Sequence, residues 1–108
     1  MHLEAIQSHD QAFRLEAVLL LLARSYAGVG RTAEARSKFE SVVERYGSFE
    51  ARAEYAIWAL SIGDTSTAAG LQAEIDHITK RWSPQAREHN ATTMLRLNAA
   101  LGQSGKRP

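Results

Sequence analysis

Apolar residues recur along most of this chain at intervals of three and four, the spacing of one face of an α-helix. No stretch alternates apolar and polar at the period of two that marks a half-buried strand, so the pattern predicts helices and no sheet. The breaks between periodic segments are short and carry recognisable start and stop residues. A first helix, capped by Ser8 or Asp10, is expected to run to about Ala27 and end at Gly28-Val29-Gly30. Thr32 caps a second that stops at Gly47, and Ser48 caps a third that stops at Gly63. Asp64 caps a fourth, from about Ser66 to Arg81. Ser83 followed by Pro84 has the cap and first-position pattern of a fifth, which continues to about Leu101. The tail, residues 102–108, has no apolar anchor and reads as disordered.

The first helix carries the oddest segment, seven apolar residues in a row from Ala17 to Ala23. A bilayer span needs about 20, and Glu16 and Arg24 close the run on either side, so it does not cross a membrane. The opening residues contain Glu4 and Asp10 and have no basic stretch, which speaks against a secretory signal. The expectation is a cytoplasmic protein. The chain has 108 residues, enough for one modest core, with 44% hydrophobic and 23% charged residues. Thirteen basic and twelve acidic residues leave a formal net charge of +1, which supplies no electrostatic reason to expect nucleic acid or an anionic membrane. There is no cysteine, hence no disulfide, thiolate nucleophile or zinc-thiolate site.

Motifs for chemistry are missing in the same way. His2, His9, His77 and His89 form no pair at helical ligand spacing, so no metal is expected. The glycines stand singly as helix stops and build no phosphate-binding loop. No Gly-x-Ser-x-Gly elbow raises a serine. Glu40 and Glu44, one turn apart, are balanced by Arg36 and Arg45 as a solvated face. With no acid, base, nucleophile or metal set to assemble, the chain is expected to be no enzyme and to carry no cofactor.

Short loops make successive helices antiparallel neighbours, and an internal repeat then organises them. Ala23, Gly30, Ala35 and Val42 recur 33 residues later as Ala56, Gly63, Ala68 and Ile75. Each copy has a small residue, a turn glycine, a second small residue and a β-branched residue. The glycine closes the first helix of a pair, and the alanines let its two helices approach closely. The first copy resembles a tetratricopeptide (TPR) repeat, with Leu19, Leu22, Ala23, Tyr26, Gly30, Ala35, Phe39, Val42 and Gly47 in the family's places. The second copy keeps Tyr55, Ala56, Ala59, Gly63, Ala68, Leu71 and Ile75, and departs at Arg52 and Gln72, where bulky apolar residues are usual. Ankyrin repeats share the spacing, but their Thr-Pro-Leu-His signature is absent.

The resemblance implies an all-α fold of two stacked antiparallel hairpins in a right-handed superhelix. Repeat one spans about 16–47, repeat two about 50–81, and a capping helix about 84–101, all within a single domain, 1–101. It further implies a concave groove lined by the first and third helices. On the first helix Leu15, Val18, Leu19, Leu22, Ala23 and Tyr26 form the stripe expected to pack on the second helix. Phe13, Ala17 and Leu20, with Arg24 beside them, face the groove. On the third, Ala53, Ile57 and Leu60 face inward in one register, and Glu54, Trp58 and Ser61 in the other, because the 33-residue offset is one short of the family's 34. Trp58 is the aromatic suited to anchor a partner, although an aromatic at helical spacing more often belongs to a core.

Three covers for the greasy groove side stay open: Leu3, Ala5 and Ile6 folding back, a neighbouring repeat or second copy, or a ligand peptide. The function expected is therefore a non-catalytic adaptor that holds a protein or peptide in an apolar groove, with Arg24 orienting a carboxylate. The alternative is an assembly or dimerisation domain, the C-terminal part of a larger, membrane-tethered bacterial repeat protein.

Overall fold

A computed structural model describes the backbone of residues 2–105 and the side chains of residues 15–102. Among the described residues there are six helices and no strand. They divide into two units, residues 1–46 and 47–108.

The first unit is one hairpin. Helix α1 spans His2–Gly28 and α2 spans Thr32–Tyr46, and the two pack against each other. The expected start near Ser8 or Asp10 is overrun, because α1 continues unbroken to His2. No proline or glycine stands in those residues to stop it. Thr32 is the first residue of α2, with the Arg31 carbonyl accepting the Ala35 N–H at 2.9 Å. On α2, Ala35, Phe39 and Val42 are buried, one apolar stripe at helical spacing.

The second unit holds four helices: α3 (Phe49–Ser61), α4 (Thr65–Thr79), α5 (Pro84–His89) and α6 (Ala91–Gly105). Helix α3 packs with both α4 and α6, and a helix covered twice should be apolar over most of its circumference. Phe49, Ala51, Ala53, Glu54, Tyr55, Ala56, Trp58 and Ala59 are all buried. Both registers weighed for the third helix therefore point buried side chains somewhere: Ala53 in one, Glu54 and Trp58 in the other. Serine caps start α3 and α5, where Ser48 and Ser83 accept the N–H groups of Ala51 and Ala86 at 3.0 and 3.1 Å. Asp64 caps α4 by accepting from Thr67 N–H at 3.2 Å and Thr67 Oγ1 at 2.7 Å.

The 33-residue repeat is present at atomic detail. Gly30 and Gly63 both take positive φ, 79° and 80°. After α1 the Arg31 N–H donates to Tyr26 at 2.9 Å and Gly30 N–H to Ala27 at 3.2 Å; after α3 the Asp64 N–H donates to Ala59 at 2.8 Å and Gly63 N–H to Leu60 at 3.1 Å. These are two copies of one Schellman ending, which satisfies carbonyls a helix terminus otherwise leaves open. The paired positions Ala23 and Ala56, Ala35 and Ala68, and Val42 and Ile75 are each no more than 2% exposed.

The fifth expected helix is two. Asn90, at φ −103° and ψ 12°, ends α5, and its side-chain amide donates to the Ala86 carbonyl at 2.9 Å. An asparagine that bonds its own backbone competes with the helix passing through it. The second piece, α6, turns onto α3 and buries Leu97 completely. It also runs on to Gly105, past the expected end near Leu101.

Candidate interaction surface

Of the residues assigned to a groove, Phe13 lies outside the described side chains. Ala17 and Arg24 are exposed on α1, whereas Leu20 keeps 6% of its surface. In the second unit Ala53 and Trp58 are buried and Ile57 is half-buried. Tyr55 and Trp58 lie with ring centroids 6.0 Å apart and their planes tilted by 33°. Ala17, Arg24 and Ile57 are thus the members of the set that retain accessible surface.

The larger exposed apolar surface lies on the stripe expected to pack on α2. The centre of the buried face is Ala23, at 0% exposure, with Leu20 beside it. Leu19 and Tyr26 are half-buried, and Leu15, Val18 and Leu22 stay exposed at 37%, 50% and 40%. The stripe is wider than the face the helix can hide. Residues recurring at three and four sweep an arc of well over 100°, and only the small side chain of Ala23 sits at its buried centre. At about 100° per residue, Leu15, Val18, Leu22 and Val29 fall within an arc of roughly 60°. Val29, at the turn, is 73% exposed and continues the strip, and Leu21 at 63% widens it.

At the C-terminal end of this strip an open depression of about 500 Å³ is lined by Leu22, Ser25, Tyr26, Val29 and Arg31. Ser25 has turned its hydroxyl back to the Leu21 carbonyl at 2.9 Å, which lowers the polarity of the floor. Arg31 stands at the rim, 3.5 Å from Glu34 and largely solvated. Completing the burial of each strip residue is worth on the order of 1 kcal/mol, since full burial of such a side chain contributes about 1.5–3 kcal/mol. The signal in sequence was the run Leu15, Val18, Leu22, Val29 at spacings of three, four and seven, with its last member beyond the helix stop.

Several charged groups of the second unit are occupied by structural work. Arg52, where the resemblance calls for a bulky apolar residue, lies 3.1 Å from Glu74 on α4 and donates to the carbonyls of Gly47 and Ser48. It ties α3, α4 and the preceding turn together. The depression beside it, about 360 Å³ lined by Arg52, Ala73, Glu74, His77 and Ile78, therefore holds a cation already neutralised. Gln72 donates to Asp76 at 2.9 Å, and its own Oε1 is buried without a hydrogen-bond partner. Phe49 and Trp82 meet edge to face at 4.6 Å, so Trp82 fastens the α4–α5 connection to the start of α3. Arg87 donates to the Thr79 carbonyl at 2.8 Å and holds α5 to the end of α4.

Glu54 is the one buried charged residue among those described, 5% exposed, and Arg96 of α6 pairs with it through both guanidinium Nη atoms, Nη2 lying 3.4 Å from Oε2. The hydrogen bond to Glu54 raises the Arg96 pKa above its already high ordinary value, against the opposing effect of burial. Sequence reading placed Glu54 on one of two inward faces and gave it no partner, because 42 residues separate the pair.

Among the described residues no group of three or more His, Asp or Glu side chains is placed to hold a metal ion, and no helix is long and apolar enough to cross a membrane. Comparison with protein-family models, with curated proteins and with solved structures finds no match to this chain.

Proposed function

We propose that the chain is a non-catalytic protein-interaction module built from TPR-like helical hairpins, and that it docks an apolar segment of a protein or peptide. The strip Leu15–Val18–Leu22 of α1, continued by Val29 at the turn, is the observation that carries this reading. A contiguous apolar patch beside a shallow depression is the usual mark of an interaction site on a water-exposed surface. The repeated Schellman endings and their buried alanine pairs support the hairpin-repeat assignment. Recognition here is by shape and burial, with the solvated Arg31 at the rim able to exchange its exposed Glu34 contact for a carboxylate of the partner.

The test must avoid the buried neighbours, since Leu20→Asp would place a charge in the interior and unfold the hairpin. Val18→Asp with Leu22→Asp changes exposed positions only. Peptides selected by display against the whole chain are expected to bind the wild type and to lose at least about tenfold in affinity to this variant, at unchanged helicity by circular dichroism. Selected peptides that bind both proteins equally, or selections that enrich no sequence, would remove the strip from the function.

A further inference from the structure

Helices α5 and α6 meet at one residue. The Asn90 N–H donates to Ala86 at 3.1 Å and the Asn90 carbonyl accepts from Met94 N–H at 3.0 Å, so helical bonding stops on one side and resumes on the other. No glycine or proline enforces this break, and residues 84–101 read as one helix in sequence. The first N–H groups of α6 have no partners within it. Straightening at Asn90 would give them the carbonyls of Arg87, Glu88 and His89. Backbone hydrogen bonding thus favours a continuous rod, whereas the Asn90 side-chain bond to Ala86 and the packing of α6 on α3 favour the bend.

That packing is concentrated in two features. Leu97 is completely buried, and Arg96 neutralises the buried carboxylate of Glu54. A cover that brought no cation would be costly, because a carboxylate taken from water needs a cation or donors in return. Whatever covers this face of α3 must bring a cation and an apolar knob one residue apart.

We propose that α6 is an exchangeable arm: the hinge at Asn90 straightens, and α6 leaves its own α3 for the α3 of a second copy, closing a reciprocal two-fold dimer. A second copy supplies Arg96 and Leu97 at the required spacing, which fixes the occupant. The closed chain and the exchanged dimer share every contact except those at the hinge. Their balance is then set by Asn90 and by concentration, the condition under which swapping is cheap. This inference stands on residues of the second unit and is independent of the α1 strip.

A charge-reversal mixture tests it. Chains carrying Glu54→Arg and chains carrying Arg96→Glu each set like charges against each other. Mixed and refolded together, exchange places unlike charges at both junctions. The expected result is a one-to-one dimer by size-exclusion chromatography with light scattering, melting above either parent. A mixture that stays monomeric with two parental transitions overturns the proposal. The hinge is tested in the otherwise native chain. Asn90→Ala should favour the dimer over Asn90→Gly by roughly fivefold per hinge, the ratio expected from their helix propensities. Equal dimer fractions for the two variants would overturn it as well, whether or not the charge variants fold.

Discussion

At Gly30 and Gly63 the backbone turns through φ of 79° and 80°, and a Cβ built on either would meet nothing within 4 Å. Any cost of a side chain there is conformational, since there is nothing to clash with. Gly30→Ala and Gly63→Ala should each destabilise by about 1 kcal/mol, and by similar amounts, because both sit in the same Schellman geometry. Urea denaturation checks this; an unchanged midpoint for either variant contradicts it. These glycines were legible in sequence through their 33-residue spacing. Arg52 and Glu54 were not, since each depends on a partner, Glu74 or Arg96, far away along the chain.

Elements begin and end largely where local chemistry says they should. Ser48, Asp64 and Ser83 cap α3, α4 and α5 as the pattern predicts. Asp64 bonds both the N–H and the hydroxyl of Thr67, so Asp64→Ala should cost about 1 kcal/mol and lower the thermal midpoint, measured by calorimetry. Replacement by serine should restore most of the loss. Which arc of a helix is hidden proved less legible. Seven consecutive apolar residues in α1 fit several helical faces at once, and the buried one centres on Ala23 rather than on Leu22. A helix that is greasy nearly all round carries no phase, so only its neighbours can choose the buried side.

On the scale of the whole molecule, two units each carry a helical hairpin, and the second adds α5 and α6. The Glu54–Arg96 pair fastens α6 to α3. Arg96→Met leaves a buried carboxylate without its guanidinium and should destabilise by about 1–3 kcal/mol. The expectation stays below that for a fully buried pair because the Arg96 side chain is 43% exposed and solvent screens the interaction. Adding Glu54→Gln to that variant should recover part of the loss, a coupling that a double-mutant cycle in urea measures. Additive losses would show that Arg96 acts through packing alone. Because the pKa of Arg96 is raised on folding, the stability it contributes is complete below its unfolded value and declines only as pH rises through the folded one. Within the attainable alkaline range this pair should therefore hold.

The helical class, the glycine-marked turns and the 33-residue repeat were determined by the sequence alone. They rest on interactions within a few residues of one another, where spacing, caps and glycines act directly. Tertiary structure alone decided the exposed strip on α1 and the salt bridge beneath α6, and together with the Asn90 side-chain bond it decided the bend. In each of these cases local preferences are either degenerate, as on a helix apolar all round, or outweighed, as where a continuous helix gives way to the burial of Leu97 and the neutralisation of Glu54.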